Sequence, residues 1–153
     1  MADTSLNENR LSLLIWQTSN LWQSKIRQKL KKINISLNEY LILETLYKLQ
    51  DQTDNITQQD ICKNASIDRS VVSLRVSNLE EKKLISKQQP QDKRSDSLIL
   101  TAAGNYLINN IIDNIVDLEN ELFNKLGSEI FNFTNSLKLL LGKKIRIRAK
   151  LND

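Results

Sequence analysis

The sequence predicts a mainly α-helical fold carrying one small β-hairpin, and three observations support that expectation. Apolar residues recur at three- and four-residue steps over most of the chain, the period of helices with one buried face. Between Leu84 and Leu100 the period changes to alternation around a single turn, as in a two-stranded hairpin. Only 3 glycines and 1 proline interrupt 153 residues, which favours long helices over a many-stranded sheet.

From Arg10 to Ile33 the apolar positions are Leu11, Ile15, Trp22, Ile26, Leu30 and Ile33, a long amphipathic helix with Lys25, Arg27, Lys29, Lys31 and Lys32 facing outward. Ser36 followed by Glu39 is a capping box, and Ile35 with Tyr40 can form the hydrophobic staple beside it. A helix therefore starts at Leu37 and continues through Leu41, Leu43, Leu46, Tyr47 and Leu49 into the polar loop of residues 50–55. Thr57 and Asp60 repeat the signal for a short helix, with Ile56 and Ile61 as staple. Residues 64–67 make a turn, and Asp68 is placed to cap the next helix, which runs to Lys83 with Ile67 and Val72 as staple.

On that helix Val72, Val76 and Leu79 share one side and must face a core. Ser70, Ser73, Leu74 and Ser77 fall on the opposite side, with Asn78 at its edge. Small hydroxyl side chains let a backbone approach a surface closely and can bond phosphates or base edges, while Leu74 could touch a thymine methyl. The plainer reading of such a face is ordinary solvation, but solvated faces usually carry more Glu and Lys.

After Leu84 the hairpin has Ile85 inward and Lys87 outward, turns around Pro90, and returns with Leu98 and Leu100 inward. Its tip carries Asp92, Lys93 and Arg94; Asp92 is close enough to orient the Arg94 guanidinium. A narrow basic tip fits a minor groove, where negative potential favours Arg. Helix, turn, helix and basic hairpin together make a device for gripping duplex DNA.

Thr101 caps a helix expected to reach Leu126 through Leu107, Ile111, Ile115, Leu118 and Leu122. Gly127 and Ser128 end it and begin another, expected to bury Ile130, Phe133, Leu137 and Leu141 before turning basic between Lys143 and Lys150. Excess apolar helix at both ends of the chain calls for a partner, and the simplest partner is a second copy. Residues 1–153 are thus read as a single domain, with 36–102 as the winged helix-turn-helix and 10–35 and 103–153 as dimerisation helices.

Composition narrows the chemistry. There is no His and 1 Cys, which excludes zinc sites built from Cys and His and all His-dependent catalysis. No nucleophile, base and ligand set converges, so neither an enzyme nor a metal or cofactor is expected. One thiol forms no internal disulfide, the N-terminus has no secretory pattern, and no apolar run is long enough for a bilayer, so the expected place is the cytoplasm and no membrane is expected as partner. Net charge is +4 and the pI ≈ 9.2, a basic excess compatible with nucleic acid.

The series Leu79-Glu80-Glu81-Lys82-Lys83-Leu84-Ile85, Pro90, Asp92-Lys93-Arg94, Leu98-Ile99-Leu100-Thr101 and Gly104 resembles the MarR family of bacterial transcriptional regulators. Its most specific parts are Asp-x-Arg at Asp92 and Arg94, and Leu-Thr-x-x-Gly at Leu100, Thr101 and Gly104. The helix order covers nearly the whole chain. The resemblance implies a homodimer with interleaved terminal helices, recognition helices in successive major grooves, and Arg94 in the flanking minor groove of a near-palindromic operator. Family members usually repress transcription, and many release DNA when a small phenolic or lipophilic effector or an oxidant acts on them. Two positions depart from the family pattern. Lys83 stands where many members have Gly, and Leu74 and Arg75 look exchanged, placing Arg75 nearer the core edge, where it reaches either a phosphate or an internal carboxylate.

The expected DNA-binding set is therefore Ser70, Ser73, Leu74, Arg75, Ser77, Asn78, Lys87, Lys93 and Arg94, with Asp92 orienting Arg94. Trp16, Trp22, Tyr40 and Tyr47 lie on helices that border the family's effector pocket, although aromatics at helical spacing are more often core or dimer seam. Cys62 is either an oxidant-sensing thiol or, as its place beside Ile61 favours, a small buried hydrophobe. Two other functions stay open at this level: a winged-helix adaptor that binds protein without reading DNA, and a redox-sensing regulator acting through Cys62.

Overall fold

A computed structural model describes residues 9–88 and 96–147. The elements are α1 (Leu11–Lys31), α2 (Leu37–Leu49), α3 (Gln58–Ala65), α4 (Arg69–Glu81), β1 (Ile85–Gln88), β2 (Ser97–Leu100), α5 (Ala102–Phe123), a 3₁₀ segment (Asn124–Glu129) and α6 (Ile130–Leu140). They divide into two compact units, residues 1–116 and 117–153, so the boundary falls within α5. Among the described residues no helix is long and apolar enough to cross a membrane.

In the first unit α2 is the central helix. Against it pack α1, α3, α4 and strand β2, while α4 also meets α3 and β1. The core formed this way takes Ile26 and Leu30 from α1, Leu43 and Leu46 from α2, Ile61 from α3, Val72, Val76 and Leu79 from α4, Leu98 from β2 and Ile108 from α5, each at most 1% exposed. The three apolar residues of α4 are those that helical spacing selects. Strands β1 and β2 pair antiparallel, with Ile85 opposite Leu100 and Lys87 opposite Leu98. The Leu98 N–H also donates to the Ile56 carbonyl at 2.7 Å, which fastens the hairpin to the segment leading into α3.

The sequence-predicted starts of α2 and α3 form as expected. Ser36 Oγ accepts the Glu39 N–H at 3.1 Å and Glu39 reaches back to the Ser36 N–H; Thr57 and Asp60 make the same reciprocal pair. Each satisfies two of the helix's orphan amides, so the helix begins where the side chains permit it.

The second unit departs from expectation in two respects. The long helix α5 stops at Phe123 rather than Leu126, because Gly127 adopts φ 55°, ψ −127° and the chain tightens into a 3₁₀ turn before it. Helix α6 buries none of its residues within the chain, and Phe133 is 39% exposed, so Ile130, Phe133, Leu137 and Leu141 are not the buried row anticipated for it. Ile130 and Leu137 are half-buried, and Leu139, Leu140 and Leu141 are exposed. The helix ends in a left-handed glycine, Gly142 (φ 68°), and Asn135 then holds the following segment by accepting the Arg146 N–H at 3.0 Å and donating to the Arg146 carbonyl at 2.6 Å.

Candidate nucleic-acid interface

Helix α3, the turn after it and α4 make the helix-turn-helix. The turn is possible because Ser66, at the C-cap of α3, takes the left-handed conformation (φ 54°), which reverses the chain in a single residue. Asp68 occupies the N-cap position of α4, but its side chain makes no capping hydrogen bond, contrary to expectation. It is exposed, and its charge beside the helix N-terminus acts on the macrodipole instead.

With Val72, Val76 and Leu79 in the core, the opposite face of α4 is open. Ser70, Ser73, Leu74 and Ser77 are all exposed, Leu74 by 58%, and Asn78 is half-buried at the edge. The Ser77 hydroxyl donates to the Ser73 carbonyl at 3.2 Å, which leaves its oxygen outward as an acceptor. No acidic side chain lies within the first turn of α4 itself; the exposed Asp68 carboxylate stands just before it, at the N-cap. Arg75 is half-buried, and its Nε has no hydrogen-bond partner. Among the described residues no carboxylate pairs with Arg75, which leaves its charge available.

The exit of α4 explains both the Lys83 departure and the Leu-Thr-x-x-Gly motif. Lys83 does adopt the left-handed conformation (φ 60°) that Gly would take more easily. It closes a Schellman motif: the Lys83 N–H donates to the Glu80 carbonyl at 2.9 Å and the Leu84 N–H to the Leu79 carbonyl at 3.0 Å. Thr101 then ties the far end of the hairpin to this turn. Its N–H donates to the Leu84 carbonyl at 3.0 Å, its hydroxyl donates to the Lys83 carbonyl at 2.7 Å, and the same oxygen accepts the Gly104 N–H at 3.0 Å. A Cβ at Gly104 would collide with the Leu84 carbonyl, so only glycine allows α5 to start this close to the end of α4. The motif therefore fixes where the hairpin leaves α4.

Lys87, expected as a charged donor on the hairpin, pairs with Glu80 of α4 at 3.0 Å, with both side chains about one-third exposed. The pair steadies the hairpin base, and as a surface ion pair it is worth roughly 0–1 kcal/mol and can be surrendered to a phosphate. Pro90, Asp92, Lys93 and Arg94 lie outside the described residues.

The four aromatics expected near an effector pocket are spread over different environments. Trp16 is 64% exposed, Trp22 is half-buried, Tyr40 is buried in the core, and the Tyr47 hydroxyl donates to Asn109 Oδ1 at 3.3 Å. A cavity of about 300 Å³ in the first unit lies elsewhere, between Leu46, Gln50 and Asp54 on one side and Gln88 and Leu98–Leu100 on the other. Cys62 is half-buried and free. The contact that sequence reasoning missed is an ion pair between Lys82, at the end of α4, and Glu39, in the first turn of α2. Glu39 was legible only as a capping residue; nothing in local spacing announces a partner 43 positions away.

The sequence profile of the SarA/Rot transcriptional regulators matches residues 24–111, from the middle of α1 through the hairpin into α5. The chain belongs to that family. It is a winged-helix transcriptional regulator of the MarR type, as the motifs around the hairpin indicated. An HTH-type transcriptional regulator of Bacillus subtilis, YdcH, is 26% identical over 129 residues, covering 84% of this chain and 87% of that protein. The structure of Staphylococcus aureus MepR in complex with DNA matches with a TM-score of 0.79 at 28% identity, over 89% of this chain and 97% of MepR. MepR in its DNA-binding conformation matches with a TM-score of 0.74 at 30% identity, over 86% and 96% of the two chains.

Proposed function

We propose that this SarA/Rot-family protein is a homodimeric, sequence-specific DNA-binding repressor that inserts α4 into the major groove and the hairpin tip into the flanking minor groove. The observation that supports this best is the division of α4 into a sealed apolar side and an open side of three serines and Leu74 with no carboxylate in its first turn. Ser70, Ser73 and Ser77 set the register on phosphates and base edges, Leu74 contacts a thymine methyl, and Asn78 reads at the groove edge. Arg75, without an internal carboxylate, and Lys87, held only by a surface pair, reach phosphates. Arg94, oriented by Asp92, anchors the wing, with Lys93 beside it. The complex of MepR with DNA supports the same use of the fold.

A second copy of the chain accounts for the apolar residues exposed at both ends, among them Leu11, Leu14, Ile15 and Trp16 on α1 and Phe133, Leu139 and Leu140 on α6. Two-fold symmetry then gives a near-palindromic operator with half-sites about one duplex turn apart, roughly 34 Å. A small aromatic or lipophilic effector would act between α1 and α2, where Trp22 and Tyr47 are half-buried.

Selection of bound sequences from random duplexes, followed by titration at several salt concentrations, tests the reading. The expected result is one palindromic consensus and affinity that falls steeply with salt. Arg94→Ala should weaken binding to that consensus by about 1–3 kcal/mol while leaving the fold intact. Parent-like binding by this variant would remove the wing from the mechanism, and failure to enrich any sequence would favour a protein-binding adaptor.

A further inference from the structure

Glu39 is only 3% exposed, yet both its carboxylate oxygens are engaged. Oε1 accepts the Ser36 N–H at 3.2 Å as half of the capping box, and Oε2 receives Lys82 Nζ at 2.8 Å. The same ammonium donates to the Asn34 carbonyl at 2.7 Å. Asn34 is the left-handed residue (φ 56°) that closes the turn after α1, and Lys82 is the C-cap of α4. One cation therefore joins three element ends: the close of α1, the first turn of α2 and the last turn of α4.

We propose that Glu39 and Lys82 are a positioning pair that sets the angle of α4 against the α1–α2 corner and thereby the separation of the two reading helices in the dimer. The proposal rests on the DNA-reading function argued above. Burial of Val72, Val76 and Leu79 holds α4 to α2, but apolar burial is non-directional and leaves rotation and sliding weakly specified. Two charge-assisted hydrogen bonds from one ammonium have preferred directions and short distances, and they fix what packing leaves loose. Breaking the pair strands a buried carboxylate, so the arrangement resists small excursions of α4. Glu39 is too deeply buried to touch a duplex, which separates its role from that of a phosphate contact.

Three variants test the pair. Glu39→Gln keeps the capping box, because Gln at that position also reaches back to the N-cap amide, but removes the charge that holds Lys82. Lys82→Gln removes the cation, and Lys82→Arg retains it. Each is titrated against the selected palindrome and against the same duplex with a base pair added or removed between half-sites. Glu39→Gln and Lys82→Gln should each bind the palindrome about tenfold more weakly, and the double variant no more weakly than either, as members of one interaction do. Both should lose discrimination against the respaced duplexes, whereas Lys82→Arg should keep it. Amide exchange at Lys82 and Lys83 should accelerate in Glu39→Gln, reporting a looser end to α4.

If Lys82→Gln weakens binding and Glu39→Gln does not, Lys82 is a phosphate contact and the positioning role is overturned. Equal weakening on all spacings overturns it as well, since a pair that only supports the fold would act that way. Should Glu39→Gln fail to fold, Lys82→Gln, at a solvent-reaching side chain, carries the spacing measurement. If the parent binds no duplex, the DNA reading fails separately: exchange then decides the pair alone, with unchanged protection of Lys82 and Lys83 sinking it and faster exchange supporting it.

Discussion

Helices α4 and α6 are of similar length, 13 and 11 residues, and each carries apolar residues at helical spacing, but they end in opposite conditions. In α4 the apolar side is sealed by α2, α3 and β1, and the exposed side is short, polar and free of first-turn carboxylates. In α6 no residue is buried, and Phe133, Leu139, Leu140 and Leu141 stand open. The difference teaches that an apolar stripe says a helix face will be covered without saying whose residues cover it. The stripe of α4 is satisfied within the first unit; α6, like the start of α1 with Leu11, Ile15 and Trp16, supplies a surface that a second copy completes in the proposed dimer.

Replacing one leucine from each helix should break this comparison most visibly. Leu79→Ala should destabilise folding by about 2–5 kcal/mol, by lost burial and an unfilled cavity, to the same extent at every protein concentration. Leu137→Ala should leave that unimolecular stability nearly unchanged and instead weaken association, so that it dissociates at a higher protein concentration than the parent and melts lower only where the parent is associated and the variant is not. Chemical denaturation and sedimentation at several concentrations check both. A Leu137→Ala protein that loses stability equally at all concentrations would mean α6 is covered from within its own chain.

Smaller effects sharpen the account of how α4 is set in place. Thr57→Ala should cost about 1 kcal/mol, since the Thr57 hydroxyl accepts an otherwise orphaned amide. Asp68→Ala should cost only about 0.3–0.5 kcal/mol, the value of a charge near a helix N-terminus without a bonded cap. Equal losses in the two variants would show that Asp68 caps α4 in solution. The smallest change runs the other way. Lys83→Gly should raise stability by about 0.5–1 kcal/mol, because relief of a left-handed side chain outweighs the added freedom of the unfolded chain; a destabilised variant would mean that Lys83 makes contacts that outweigh its backbone strain.

Much of the helix-turn-helix was legible from residues that lie within one turn of each other. Ser36 with Glu39 and Thr57 with Asp60 predicted two helix starts because a cap involves neighbours three positions apart. The spacing of Val72, Val76 and Leu79 likewise predicted which side of α4 is sealed, and so which serines are open. The same reasoning failed at Asp68, where the residue type fits a cap but its side chain does not form one, and at α6, where no residue of the stripe is fully buried among the described residues.

The chain's order of amino acids was enough for most of the helices, the hairpin, the open face of α4 and the family likeness, because caps, turns and periodicity are decided over a few neighbouring residues. Only the tertiary structure decided that Lys82 reaches Glu39 and Asn34, that Lys87 is held by Glu80, and that no described carboxylate pairs with Arg75. It also showed that Gly104 is required by the Leu84 carbonyl rather than by its own backbone angles. These are relations between groups far apart along the chain, set by how the helices stack, and a through-space distance leaves no mark in local spacing.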